Sequence, residues 1–172
     1  MINGFIEIEV KSLADNMFQL LDEDWMLITA GTKESFNTMT ASWGTFGILW
    51  QMPVATIFVR PHRYTYDFIE KNQSFTLSFF SPKYKHILNY CGQKSGKDVD
   101  KIKETGLTPL FLPSGNISFS ESRIILDCKK LYSSDLKGDH FISKELIHKH
   151  YPSHDFHKMY ISEIKKCYLA DE

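Results

Sequence analysis

Two short stretches of this chain carry the side-chain types that hold small molecules. Asn37-Thr38-Met39-Thr40-Ala41-Ser42-Trp43 is a row of small and hydroxyl-bearing residues closed by an indole. Side chains this small let a flat ring lie close to the backbone, whose N–H and C=O groups then reach the ring's polar edge. Arg60-Pro61-His62-Arg63-Tyr64-Thr65 places two guanidiniums and two hydroxyls within six residues. An Arg fork matches phosphate oxygens in shape and charge, and each charge-assisted bond contributes roughly 1.5–3 kcal/mol. Three such bonds would offset the cost of immobilising a ligand and leave about micromolar affinity or better. The two stretches together describe a host for a flat polar ring joined to a phosphate. Read alone, they also describe a half-solvated strand and a decorated surface loop.

The elements that must position these residues are legible from periodicity. Trp25 to Ala30 reads as a buried strand ending at Gly31, and Asn37 to Ser42 as its hairpin partner after a turn through residues 32–35. Pro53 opens a strand that runs to Val59, and Tyr64 to Lys71 reads as a short helix stopped at Asn72. Arg63, Tyr64 and Thr65 then lie at a helix N-terminus, where free N–H groups and the positive dipole end favour an anion. Gly44 to Trp50, punctuated by glycine, reads as a loop that packs Phe46 or Trp50 in the core or a subunit contact. Further strands are predicted over Phe5–Val10, Phe75–Phe79, Arg123–Tyr132 and Met159–Leu169. Leu13, Met17, Leu20 and Leu21 have helical spacing. Ser81-Pro82 reads as an N-cap pair that starts a helix with Ile87, Leu88 and Cys91 on its apolar face. The polar loop Gly92–Asp98 leads into a helix that Gly106 should end, and Leu107–Phe119 reads as short strands and turns.

Composition excludes several classes. At 172 residues with 42% hydrophobic and 24% charged content, the chain suits one domain with a full core. A net charge of −1 gives no footprint for nucleic acid, and no apolar stretch reaches membrane-span length. The start of the chain lacks a basic segment followed by an apolar one, so no export is expected. Cys91, Cys128 and Cys167 are odd in number and widely spaced, which argues against disulfides, a zinc site or a dithiol centre and for the reducing cytoplasm. His140, His148, His150, His154 and His157 are dense, but no His pair sits on a clear helix with a carboxylate at a functional offset, so no metal is expected. No Gly-x-Gly-x-x-Gly follows a strand and no Gly-x-Ser-x-Gly elbow is present, so neither a Rossmann nucleotide site nor a hydrolase is indicated.

In order along the chain, Asn37–Trp43, Arg60–Thr65 and Ser95-Gly96-Lys97-Asp98 resemble the FMN-binding split-barrel flavin reductase family, its flavoredoxin-like branch in particular. The similarity runs from the Trp25–Gly31 strand to His157-Lys158-Met159-Tyr160. It implies a mainly β fold with short helices, a Greek-key-like FMN-binding split β-barrel forming one domain over 1–172. FMN is the flat ring with a phosphate that the residues themselves describe. The resemblance implies that Asn37, Thr38, Met39, Thr40, Ala41, Ser42, Trp43, Arg60, Arg63, Tyr64, Thr65, Ser95, Gly96 and Lys97 hold it. It implies hydride transfer from NADH or NADPH to flavin N5, with electrons passed to a redox partner protein or free flavin. The alternative is a flavin-bound electron carrier with no NAD(P)H activity of its own. A third occupant of the same barrel would be another planar ligand such as haem, with His154 or His157 as axial ligand. His157 is also the catalytic candidate, since the family tends to carry a His just before its last strand. The family's folds are mostly homodimers, so a dimer is implied. The family often has Gly where this chain has Ser162.

Overall fold

The computed structural model describes residues 2–171. The chain runs β1 (Phe5–Ile8), α1 (Met17–Gln19), β2 (Met26–Gly31), β3 (Phe36–Ala41), β4 (Gly44–Leu49), β5 (Met52–Val59) and α2 (Tyr64–Lys71). It continues through β6 (Ser74–Phe79), α3 (Lys85–Gln93), α4 (Lys101–Thr105), β7 (Pro109–Phe111) and β8 (Ile117–Phe119). β9 (Ile124–Asp135), α5 (Glu145–His150) and β10 (Lys158–Ala170) complete it. The main sheet has the order β3-β2-β6-β9-β10-β5-β4, with β1 added beside β10, and β7 and β8 pair separately. Every one of these pairings is antiparallel.

The curled sheet encloses a core of Met26, Ile28, Met39, Ile57, Phe75, Leu77, Leu126 and Tyr160 among others, closed on one side by Ile69 of α2. A second cluster forms where Ile87, Leu88 and Cys91 of α3 pack on Leu27 and Phe119. β3 serves both. Phe36 packs towards the α3 cluster and Met39 lies in the main core, as the two-residue period of a strand requires. Thr38 and Thr40 share the face of Phe36, so Thr40 Oγ1 donates to Leu88 C=O on α3 at 2.5 Å. Thr29 and Thr38 are opposed across the β2–β3 ladder, and their hydroxyls bond at 2.9 Å.

Three local readings need correction. Gly44–Leu49 is a strand, not a loop, and pairs with β5 from Gly44↔Ile57 to Leu49↔Met52. Its glycines mask the alternation, yet Gly44 is required by packing: a Cβ there would sit 2.9 Å from Thr56 C=O. Trp50 and Gln51, at φ 50° and 61°, form the two-residue hairpin turn, the conformation in which the chain's twist matches that of the strands. The helix suggested by Leu13, Met17, Leu20 and Leu21 is broken. A 3-10 turn at Val10–Ser12 precedes α1, which Asn16 caps by accepting from Phe18 N–H, and the chain then widens to π geometry over Leu20–Asp24. Ser81 makes no capping bond, and Pro82 opens a 3-10 turn before α3. Gly106, at φ 70°, ends α4 as expected. All three cysteines are free and buried.

Candidate functional site

A cleft of about 370 Å³ opens where the end of β3 meets the β5–α2 connection. Met39, Thr40, Ala41, Ser42 and Trp43 form one wall, Arg60, His62 and Arg63 another, and His157 the far side. His62 and Arg63 also line an adjoining pocket of about 240 Å³, so the two spaces meet at those residues. Asn37, Tyr64, Thr65, Ser95, Gly96 and Lys101 are among the other residues of the smaller pocket, with Gln93 and Lys94 at the end of α3. The strand and the two loops singled out from the sequence therefore come together in space. Residues 37 and 65 are joined directly, Asn37 Nδ2 donating to Thr65 Oγ1 at 2.8 Å.

The roles within that group differ. Thr38 is buried and its hydroxyl is satisfied by Thr29 and by Ile28 C=O, so it shapes the wall rather than facing the cleft. Gly96 seats its loop on Asn37: a Cβ on Gly96 would lie 2.1 Å from Asn37 Oδ1 and 3.1 Å from the Tyr64 ring. Lys97 lies outside the smaller pocket, its Nζ 5.4 Å from the centre of the Tyr64 ring. Gly92 allows α3 to approach β3, since its Cβ would already touch Thr40 at 3.4 Å.

The two arginines also part company. Arg60 pairs with the Asp155 carboxylate and donates from Nη2 to His150 C=O at 2.9 Å. Its guanidinium is committed to the segment between α5 and β10. Arg63 sits at the N-cap of α2 and donates from Nη1 to Gly92 C=O at 2.9 Å, while its Nη2 is buried with no partner. An orphaned guanidinium N–H is costly, by roughly 1–3 kcal/mol or more for a charged group. Tyr66 N–H turns back onto Arg63 C=O, and the amides of Tyr64 and Thr65, first in the helix, have no intrahelical acceptor.

The sequence reading missed Lys101. It begins α4, is 4% exposed, and donates from Nζ to Thr38 C=O and Cys91 C=O, each at 2.8 Å. Among the described residues no carboxylate pairs with it, and Arg63 lies close enough to disfavour its charge further. Burial, with that neighbouring cation, lowers its pKa to about 8. The smaller pocket thus contains a buried ammonium, a half-buried guanidinium with an unused donor, and no acidic side chain in its lining. That arrangement suits an anion with several acceptor oxygens.

At the other end of the cleft, Trp43 is flanked by His150 and His157, both at 5.3 Å between ring centres. His157 Nδ1 lies 2.8 Å from the Tyr151 hydroxyl. Burial, then the Arg60 cation, lowers the His157 pKa to about 4, so the ring is neutral at neutral pH. The Arg60 guanidinium lies 5.2 Å from the centre of the Tyr151 ring. Asp155 is held below the usual carboxylate range, chiefly by its hydrogen bond from Arg60. Neither Tyr151 nor Asp155 was singled out from the sequence. Cys91, whose C=O accepts from Lys101, is buried, and burial pushes its thiol up, away from reactivity. Among the described residues no three metal-ligating side chains converge.

Ser162, the departure from the family pattern, stands at a register shift between β9 and β10. Its hydroxyl is buried without a partner.

The groove has a polar-edged slot at one end and a cationic pocket at the other, within a curled antiparallel sheet. Residues 21–172 match the flavin reductase like domain, and the chain belongs to that family. No curated protein matches it. Among solved structures it is similar to the flavoredoxin of Desulfovibrio vulgaris (Miyazaki F), at 23% identity and TM-score 0.67, over 95% of this chain and 78% of that one. An FMN-binding domain of a flavin reductase-like enzyme from Shewanella baltica OS155 superposes with TM-score 0.70 at 16% identity, over 99% and 79%. A protein with a split barrel domain from Shewanella frigidimarina NCIMB 400 gives 0.68 at 18%, over 96% and 76%. The mainly β split barrel expected from the resemblance is the fold observed.

Proposed function

We propose that the chain is an FMN-binding oxidoreductase that takes a hydride from NADH or NADPH. The observation that carries this reading is the pair of cations without a carboxylate partner, half-buried Arg63 with its buried, unused Nη2 and buried Lys101. Those two side chains and the opening amides of α2 would hold the FMN phosphate. The Met39–Ser42 wall would take the ring, with its backbone towards the ring's polar edge, and Trp43 and His157 would bound the far side. FMN held there would supply the hydride-accepting position, N5, with free flavin or a partner protein as the onward acceptor. Neutral His157 and the committed Arg60 add no free acid to the ring end of the cleft.

Protein purified without added flavin should be yellow or should bind FMN at one equivalent per chain. Absence of both sinks the reading. Stopped-flow mixing of the FMN-loaded chain with NADH or NADPH then separates the enzyme from an electron carrier, which would oxidise neither at an appreciable rate.

The same proposal includes a homodimer. Ile48 and Leu49 are 63% and 38% exposed on β4, an edge strand paired on one side only, and Trp50 in the turn that follows is 53% exposed. Such an edge calls for a cover, and a second copy supplies one. Light scattering behind size exclusion should give twice the chain mass; a monomer would overturn the assignment. Residence in the cytoplasm is part of the same proposal. Among the described residues no helix is long and apolar enough to cross a membrane.

A further inference from the structure

The ring end of the cleft contains a hydrogen-bonded pair for which flavin binding gives no account. Tyr151 is 5% exposed, His157 is 8% exposed, and the only hydrogen bond that either side chain makes within the described residues is with the other. The direction of that bond follows from what each partner has left. Tyr151 has one O–H to place, and burial raises its pKa, so the proton stays on. The acceptor in reach is His157 Nδ1. Were Nδ1 to carry the proton instead, the buried Tyr151 O–H would have no acceptor, at a cost of roughly 1–3 kcal/mol. The bond therefore runs from Tyr151 O–H to Nδ1. A neutral imidazole has one ring proton, which must then sit on Nε2.

Nε2 makes no hydrogen bond within the described residues, and His157 lines the cleft. Its surroundings hold the geometry. Arg60 lies over the Tyr151 ring, pairs with Asp155 and grips His150 C=O, tying α5 and the approach to β10 into one unit. Trp43 from the opposite wall closes on the His157 ring. The charged and titratable groups facing the imidazole are Arg60, His62, Asp155 and Tyr151, with His150 across Trp43.

We propose that Tyr151 is a positioning residue that fixes the Nε2–H tautomer of His157, making His157 a neutral hydrogen-bond donor to a carbonyl oxygen of the molecule in the cleft. Resting on the flavin reading, that carbonyl belongs either to the flavin's pyrimidine ring or to the carboxamide of the nicotinamide donor. A charged histidine would serve less well, because its second proton would oppose Arg60 and break the bond from Tyr151. Arg60, in this account, braces the histidine segment and takes no part in holding phosphate.

The first measurement is 15N NMR of the histidine side chains in the full, ligand-free chain at neutral pH. The wild type should show His157 with Nδ1 unprotonated and Nε2 protonated. Tyr151→Phe should shift that ring towards the other tautomer, a change that loss of packing alone would not produce. Protonated Nδ1 in the wild type, or an unchanged tautomer in Tyr151→Phe, overturns the assignment, whether or not flavin binds. The second measurement concerns the ligand. Tyr151→Phe and His157→Ala should each weaken one interaction about fivefold, the size of one lost hydrogen bond. His157→Gln, which keeps an N–H donor, should recover most of it. A raised Kd for FMN with unchanged KM for the nicotinamide assigns the bond to the ring carbonyl; the reverse assigns it to the carboxamide. Neither quantity changing overturns the donor role.

Discussion

Lys101 makes the affinity for FMN depend on pH in a way that can be worked out in advance. Its pKa falls from the ordinary 10.5 to about 8 because the ammonium is buried, with Arg63 beside it. At about 1.4 kcal/mol per decade, that gap is roughly 3 kcal/mol against the charged form. In the ligand-free chain this cost is fully present below about pH 8. Between about 8 and 10.5 the unfolded chain holds the proton and the folded chain has lost it, so stability rises with pH across that window. A phosphate seated beside Nζ reverses the balance, because it supplies the missing countercharge and raises the pKa again. Binding above pH 8 must then take up a proton. The Kd for FMN should be flat from about pH 7 to 8 and should rise by up to about tenfold per pH unit beyond. Calorimetry in two buffers of different ionisation enthalpy counts the proton directly: near zero at about pH 7, approaching about one at pH 9. Lys101→Met should abolish the slope and weaken binding at pH 7 by about ten- to a hundredfold, since a charge-assisted contact contributes roughly 1.5–3 kcal/mol. The variant also strips a donor from Thr38 C=O and Cys91 C=O, a loss that creates no pH slope. A wild-type Kd that ignores pH between about 7 and 9.5, or a slope that survives in Lys101→Met, would refute the reasoning.

Three further outcomes are expected. Arg63→Ala removes the guanidinium with the unused Nη2 and should raise the Kd for FMN at least about tenfold; an unchanged Kd by fluorescence titration would place the phosphate elsewhere. His157 has its pKa lowered to about 4 from an ordinary 6.5, so stability should be lost as pH falls through that interval, by up to roughly 3 kcal/mol. His157→Gln should show a shallower acid loss of urea midpoint, and parallel acid limbs for the two proteins would count against it. Ser162→Ala deletes a buried hydroxyl without a partner and should stabilise the fold by about 1 kcal/mol, seen as a higher melting temperature; a lower one would mean that the hydroxyl is satisfied after all.

What the sequence could and could not convey follows from the range of each interaction. The β2–β3 hairpin, β5, α2 and the stop at Gly106 are set by local alternation and local punctuation, and each is found close to where the pattern put it. β4 was missed because two glycines remove the side chains that carry the period, while its conformation comes from pairing with β5. Arg60 and Arg63 look equivalent three residues apart, yet Asp155 claims the first from 95 positions away and Gly92 leaves the second with a spare donor. Lys101 sits among Asp100, Lys103 and Glu104, the look of a solvated helix face. Only the approach of α4 to β3 and α3 turns it inward. The same holds for Tyr151, an ordinary aromatic until the turn before β10 brings His157 against it.

The position of β10 within the sheet has a consequence for how the molecule is made. Its thirteen residues, the last strand in the chain, separate β9 from β5 and carry β1 besides. Without that segment the main sheet divides into β3-β2-β6-β9 and β5-β4, each with a bare hydrogen-bonding margin, and β1 has no strand to pair with. Assembly must wait for contacts spanning nearly the whole polypeptide, which predicts slow closure and a window in which nascent chains stick to one another. A truncation ahead of Lys158 would make that window permanent.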